Sequence, residues 1–298
     1  MMDEAERVAI RRVVAPNPSP MTHTGTNTWI VGQGRVAVID PGPALPAHLT
    51  AILAALAPGE TVSHVIVTHA HADHSALAPM LSSATGAPVF GFGPARAGRS
   101  ARMASIKGVI GGGEGLDHGF VPDALLADGD GVEGSGWHLT ALHTPGHIGG
   151  HLCLTLGTLA FTGDHVMGWA PSLVSPPDGD MAAYMASLRR LAGGAWTRFL
   201  PGHGDPVDDP AARLAALIAH RQGREAQILR ALSAGPLTLA ALVAIVYADT
   251  ARALHPAAMR NALAHLIDLA DRHLVTATPA LSPEATFTAA TPGFGPRA

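Results

Sequence analysis

The stretch Thr68-His69-Ala70-His71-Ala72-Asp73-His74-Ser75 places three imidazoles and a carboxylate within six residues. It directly follows a short run rich in β-branched residues, 62–67, that reads as a buried strand. Imidazole nitrogen and carboxylate oxygen are the ligands that hold zinc and similar first-row metals. Alternate residues of an extended chain share a face, so strand spacing projects His69, His71 and Asp73 together. His74 breaks that alternation and aims elsewhere, which suits a second metal. One ion needs about four donors and a two-ion site about seven, so further ligands must arrive from elsewhere in the chain.

A chain of 298 residues can hold one large domain, or one and a small second. No apolar run approaches the ~20 residues of a membrane span. The acidic start, Met1 to Glu6, lacks the basic region and apolar core of a signal peptide, so cytoplasmic residence is expected. The single cysteine, Cys153, excludes an internal disulfide and a cysteine-based zinc knuckle. A net charge of −4 gives no support to a sequence-independent nucleic-acid binder. The 17 histidines exceed what a stable fold needs, whereas Lys107 is alone among many arginines. The lysine scarcity reads as bacterial genome bias and says little about function.

Strands are expected at 8–14, 27–31 and 35–39, the last two joined through Gly32 and Gly34 as a hairpin that ends in Asp40-Pro41-Gly42. Residues 45–56 have helical apolar spacing, with Pro46 near the start. Ser75 is a candidate N-cap for a helix through Leu77, Met80 and Leu81, and 88–92 is a short strand. Residues 93–136 are glycine-rich and read as a long loop, functional or mobile. Strands resume at 137–142, 151–156, 158–162 and 197–200, with a helix at 181–191. Asp209-Pro210 caps a long helix whose apolar side carries Leu214, Leu217, Ile218, Ile228, Leu229 and Leu232. After Gly235-Pro236 come helices at 239–246 and 259–271 and the β-prone Leu274-Val275-Thr276, a small winged-helix-like module. The expected division is therefore a catalytic domain over 1–232, the module over 233–278, and a disordered Ala-, Thr- and Pro-rich tail over 279–298.

Three more candidate ligands each follow a strand. His147 lies in His143-Thr144-Pro145-Gly146-His147, Asp164 in Thr162-Gly163-Asp164-His165, and His203 in Pro201-Gly202-His203-Gly204-Asp205. Strands supply a rigid base, and adjacent glycines let the backbone bring one ligand close to an ion. Competing motifs fail on context. Gly129-Asp130-Gly131-Val132-Glu133-Gly134 fits G-x-G-x-x-G, but its two acids would repel a pyrophosphate and a strand follows it. His143 and His147 have zincin spacing, yet Pro145-Gly146 forbids the helix. Neither a Walker A sequence nor a G-x-S-x-G elbow occurs.

This order of H-x-H-x-D-H, then His, Asp and His, each after a strand, resembles the metallo-beta-lactamase superfamily over residues 8 to about 232. The resemblance implies an α/β fold, a four-layer αββα sandwich with the site along one edge of its two sheets. It implies that His69, His71 and His147 hold a first ion, that Asp73, His74 and His203 hold a second, and that Asp164 bridges both. Asp40 matches an acidic residue that orients a ligand from behind, although an Asp-Pro-Gly turn explains it equally well. Asn17-Pro18-Ser19-Pro20-Met21-Thr22, Gly25-Thr26-Asn27-Thr28 and His220-Arg221-Gln222-Gly223-Arg224-Glu225 are similar to signatures of the beta-lactamase-like protein 2 group. Its animal members act as single-strand endoribonucleases, its bacterial relatives are known as metal-dependent hydrolases, and a related fungal branch cleaves acyl-carrier-protein thioesters.

The expected chemistry follows from two ions, zinc by donor type, with manganese or iron accepted by the same donors. They would share a water and lower its pKa towards ~7, so that a metal-bound hydroxide attacks an ester-like substrate: a thioester, a lactone or a phosphodiester. Asp73 would orient that nucleophile. A ribonuclease is the alternative, and an iron-dependent oxygenase of sulfur compounds is the one outside hydrolysis. A bridging Asp164 argues against a true β-lactamase. Arg96, Arg99, Arg102 and Lys107, with no acid between Phe92 and Gly113, form either a positive lid for an anionic substrate or a solvated surface. Trp169 either touches substrate or covers core. The expected partner is a small-molecule or acyl-thioester substrate, not a membrane, with nucleic acid not favoured. The module is expected to wall the cleft or to make a homodimer contact.

Overall fold

A computed structural model of the chain describes residues 8–106, 112–113 and 115–290. Strands β1 (Ile10–Val14), β2 (Asn27–Val31) and β3 (Arg35–Ile39) form an antiparallel meander. Helix α1 (Pro46–Ala54) crosses over to β4 (Thr61–Ile66), which pairs parallel with β3. The one-turn α2 (Ala72–Ser75) and α3 (Ala78–Thr85) lead to β5 (Val89–Gly91), and α4 (Ala101–Ile106) precedes β6 (Ala124–Leu125). These six strands lie in chain order across one sheet.

The second sheet contains β7 (Gly131–Gly134), β8 (Trp137–His143), β9 (Leu152–Leu156), β10 (Leu159–Gly163) and β11 (Arg198–Pro201). Only β10 and β11 are parallel, and helix α5 (Met181–Ala192) supplies the crossover that a parallel pair requires. Helix α6 (Pro210–Ser233) follows, its first turn capped by Asp209, which accepts from the Ala212 amide at 2.9 Å.

Period-two alternation builds the layers. Trp29, Val31, Ala37 and Ile39 point between the sheets, against Leu139, Ala141, Leu154 and Phe161. Their neighbours Ile30, Val36 and Val38 point outward onto Ile52 of α1 and Leu81 of α3. On the other outer face, Cys153, Ala160 and Phe199 lie under Tyr184 and Leu188 of α5 and Leu214 and Leu217 of α6. The result is helix on sheet on sheet on helix.

The C-terminal module comprises β12 (Leu237–Thr238), α7 (Leu239–Val246), α8 (His255–Asp271), β13 (Val275–Thr278) and β14 (Thr286–Ala289), with strand order β12-β14-β13. Its core joins Leu242, Leu263, Leu266 and Phe287 to Ile228 and Leu232 of α6 and to Met103 and Ile106 of α4. Helix α6 therefore serves two cores, one at each end.

Three expectations need correction. Ser75 caps no helix: its hydroxyl lies 3.0 Å from the His71 carbonyl and 2.8 Å from Asp117 Oδ2, with one proton shared between the two acceptors, and α3 begins later with Pro79 in its first turn. Residues 93–136 are not one loop, since they contain α4, β6 and β7, and Lys107 and Gly111 lie outside the described residues. Order does not stop at 278, because β14 is the middle strand of the small sheet; residues 291–298 lie outside the described residues. Phe287 is fully buried, worth roughly 1.5–3 kcal/mol that a disordered tail would forgo. No described helix is long and apolar enough to cross a membrane.

Candidate metal centre

Four turns at strand ends converge on one edge of the sandwich, following β4, β8, β10 and β11. The donor atoms of His69, His71 and His147 lie within 4.8 Å of one another, as do those of Asp73, His74 and His203. His69, His74 and Asp164 form a third such group, which joins the other two. In the first set His71 Nδ1 is 3.0 Å from His69 Nε2 and 2.9 Å from His147 Nε2. In the second, His203 Nε2 is 3.2 Å from His74 Nε2 and 3.2 Å from Asp73 Oδ2. Asp164 divides its oxygens between them. Oδ1 is 3.4 Å from His74 Nε2 and 3.3 Å from His203 Nε2, while Oδ2 is 3.8 Å from His147 Nε2.

The strand alternation that groups Asp73 with His69 and His71 does not hold here. Strand β4 ends at Ile66, and α2 swings Asp73 and His74 towards His203. The segment is braced from the 93–136 region: the Ala72 amide donates to Gly115 O and the Asp117 amide to Ala70 O, both at 2.8 Å.

The far sides of the rings decide which nitrogens face inward. His74 Nδ1 donates to Asp40 Oδ2 at 2.9 Å, His147 Nδ1 to Leu173 O at 2.6 Å, and His203 Nδ1 to Gly25 O at 3.1 Å. Thr68 Oγ1 donates to Asp40 Oδ2 at 2.8 Å, so it accepts from His69 Nδ1 at 3.0 Å. Four histidines thereby turn Nε2 towards the centre, the nitrogen a ligand would present. Asp40 also accepts from the Thr68 amide at 2.8 Å and adopts φ 51°, so both its oxygens contact the segment that carries the histidines. Gly163, at φ 45°, ends β10 where a Cβ would meet His151 Nε2 at 2.7 Å and Thr68 Oγ1 at 2.8 Å. A side chain there would push the Asp164 turn away from the histidine loop.

The donor set fits divalent cations. Imidazole lone pairs crowd together in the first set, and Asp164 Oδ1 is buried without a hydrogen bond among the described residues. Burial, then the neighbouring imidazoles, push His69 well below its ordinary range and His71 down to about 3, and burial lowers His147. The first set is therefore neutral at pH 7. Burial opposes charge on His74 and His203 too, but the surrounding carboxylates overcome it. Asp73, Asp164 and Asp40 hold His74 well above its usual value, and Asp164 with Asp73 raises His203 to about 9. Burial likewise opposes charge on the two acids, yet His74 and His203 draw Asp73 down to about 2 and Asp164 well below its usual value.

A protonated ligand must release its proton to bind a cation. Zinc loading at pH 7 is therefore expected to release about one to two protons, chiefly from His74 and His203. Affinity at that set should rise with pH through about 9, where His203 loses its proton. Calorimetry in buffers of different ionisation enthalpy measures the release, and a value of zero contradicts the assignment.

A cavity of about 480 Å³ opens on the cluster, with Asp73, Asp164 and His203 in its wall. Trp169, 37% exposed, also lines it and lies 4.9 Å from the His23 ring, so it faces the cleft and does not cover core. The loop arginines do not. Arg99 is paired with Asp178 and Arg102 with Asp271, the latter at 2.8 Å. Both carboxylates come from beyond the 92–113 segment, so its lack of acids leaves neither cation free. Arg96 borders separate hollows beside His118. The opposite wall of the cleft comes from α6, α8 and the turn that ends α7, through residues including Arg221, Asn261 and Tyr247. The signal for these was polar residues on a helix face otherwise read as apolar.

Residues 21–203 match the family model of the metallo-beta-lactamase superfamily, and residues 238–280 match the beta-lactamase associated winged helix domain. The beta-lactamase-like protein 2 homolog of Drosophila melanogaster is 30% identical over 275 residues, covering 88% of this chain and 87% of that protein. The atrochrysone carboxyl ACP thioesterase dmxR1 of a Cryptosporiopsis species is 29% identical over 240 residues, covering 78% of this chain and 66% of that protein. The crystal structure of a beta-lactamase domain protein from Burkholderia ambifaria has the same fold, with a TM-score of 0.77 at 24% identity, covering 94% of this chain and 91% of that one. A sandwich with this ligand order at its edge and a winged helix behind its cleft places the chain in the metallo-beta-lactamase superfamily of hydrolases, among relatives named beta-lactamase-like protein 2.

Proposed function

We propose that the chain is a dinuclear metal-dependent hydrolase of ester-like bonds, acting on a small thioester. The observation that carries the dinuclear reading is Asp164, whose two oxygens address two separate donor sets. Two ions, zinc by donor type, supply a hydroxide-strength nucleophile at neutral pH and a polarised carbonyl oxygen when bound. His69, His71 and His147 would hold one, Asp73, His74 and His203 the other, and Asp164 both. Asp73 reaches the cleft and orients the attacking water by accepting its hydrogen bond. Met21, Met167, Trp169 and Leu173 give the cleft apolar walls that hold an acyl chain and exclude bulk water. Cys153 has no part as a nucleophile: it is buried, and burial pushes its thiol up to about 12.

The thioester assignment is supported by the relative named as an ACP thioesterase and by the apolar walls. A ribonuclease would need a basic track with bases stacked along it, which the net charge of −4 and these walls do not favour. Metal analysis of the purified protein, followed by a panel of thioesters, lactones, phosphodiesters and single-stranded RNA, tests the proposal. The expected result is two zinc ions per chain and thioester hydrolysis abolished by a chelator. Activity on RNA alone, or activity that survives complete metal removal, would overturn it.

A further inference from the structure

The cleft contains a cation with no counter-charge. Arg221 of α6 lines the cavity yet is only 2% exposed. Its guanidinium donates to Asn261 Oδ1 at 3.1 Å and to the Ser172 carbonyl, and lies 5.2 Å from the centre of the Tyr184 ring. All of these partners are neutral. Its Nε is buried without a hydrogen bond, and among the described residues no carboxylate pairs with it. Burying a charge is costly unless an opposite charge accompanies it. Half-buried Arg99 follows that rule, paired with buried Asp178.

The rest of the cavity offers Arg221 nothing anionic. Asp73 and Asp164 are the carboxylates in its wall, and both are committed to the histidine cluster. The neighbouring polar residues on α6 are His220 and Arg224. Arg224 is engaged already, 3.7 Å from exposed Asp249 and 4.5 Å from the Tyr247 ring. The cleft thus has acids where the ions would sit, apolar walls, and an unpaired buried guanidinium in the wall that α6 provides.

We infer that the cleft selects a thioester with an apolar body and an anionic group, carboxylate or phosphate, that Arg221 receives. The inference rests on the hydrolase reading above. Arg221 is a specificity-determining residue on this account, and the guanidinium fork suits either planar carboxylate or phosphate oxygens. Because the contact lies away from the reacting bond, it contributes equally to bound substrate and transition state. It should therefore act on KM and kcat/KM, not on kcat.

The test uses the metal-loaded full chain and three thioesters of one neutral thiol, with acyl chains of equal length ending in methyl, carboxylate or phosphate. Wild-type protein is expected to prefer at least one anionic end over methyl by ~10²-fold in kcat/KM, the scale of a lost buried charge contact. Which anion wins identifies the group. In Arg221→Gln that ratio should fall to near one, and Arg221→Lys should retain part of it. Since Arg221 also ties α6 to α8, the ratio within each protein is the readout, and the wild-type ratio needs no variant. Equal rates on all three substrates would overturn the inference while leaving the hydrolase reading intact. If none is hydrolysed, the thioester reading fails, and calorimetry with hexanesulfonate and hexanol then decides the inference alone. Preference for the sulfonate that is lost in Arg221→Gln supports it; equal binding of the two overturns it.

Discussion

Asp164→Ala is expected to fold, to hold one ion per chain in place of two, and to lose at least ~10²–10³-fold in kcat/KM, the scale of a lost electrostatic contact to a developing oxyanion. The reasoning is positional. Asp73 reaches only the His74 and His203 side of the cluster, and Asp40 spends both oxygens on Thr68 and His74. No other carboxylate among the described residues touches both donor sets. Without Asp164, the second set keeps Asp73, His74 and His203 but loses the oxygen that links it to His147. Asp164→Asn preserves volume and removes charge, so it separates the ligand's role from simple packing. Both variants should show the same loss, read by elemental analysis of the metal and by steady-state kinetics, with circular dichroism to check the fold. Full metal content with full activity in Asp164→Ala would end the dinuclear assignment.

The strands that carry the candidate ligands are legible because their signals are local. The 137–142 reading became β8 (Trp137–His143) and 158–162 became β10 (Leu159–Gly163), shifts of a residue or so at each end. Apolar runs broken by Pro-Gly and Gly-Asp turns leave little freedom in where such strands stop. What escaped was short or distant. Four residues of α2 are too few to show a helical period, so in the sequence strand alternation runs on past β4, whereas the chain turns there and takes Asp73 to His203. Arg99 finds Asp178 79 residues away and Arg102 finds Asp271 169 residues away, and no local pattern announces either pair. Strand β14 hides in an Ala- and Thr-rich stretch where Phe287 is the one large apolar residue. The far wall of the cleft escapes for the same reason of distance, since α6, α8 and Tyr247 reach the cavity only through the tertiary fold.

The module acts as more than an appendage. Helix α6 packs Leu214 and Leu217 on the catalytic sheet and Ile228 and Leu232 in the module, so the two cores share one rigid rod. Arg221 lies between these contact points and bonds to Asn261 of α8. Any side chain that α6 presents to the cleft is therefore held from both sides, which is the condition for discriminating substrates by fixed contacts instead of by loop closure.

Gly202→Ala is expected to reduce activity by ~10²-fold although it removes no donor and no hydrogen bond, because ligand displacement of about 1 Å suffices for such a loss. Gly202 precedes His203, and a Cβ there would lie 2.6 Å from His74 Cε1 and 2.7 Å from Asp164 Oδ1. Both distances are below any real Cβ contact, so either both side chains or the Gly202 backbone must move. His74 has no room to do so, being fully buried and tied to Asp40 at 2.9 Å. The displacement therefore falls on the Gly202 backbone, whose amide donates to Gly163 O at 2.9 Å and whose carbonyl accepts from the Asn27 amide at 2.7 Å. That movement carries the adjacent His203 away from Asp73 and Asp164. Overpacking should cost about 1–3 kcal/mol in stability, too little to unfold a typical domain. The same exchange at Gly223, inside α6 with open space around its Cβ position, should instead stabilise by up to about 1 kcal/mol and leave activity unchanged. Metal content, melting temperature and kcat/KM of the two variants distinguish a crowded ligand shell from a general intolerance of methyl groups. A Gly202→Ala protein with both ions and wild-type activity would mean that the ligands are not held as tightly as these distances require.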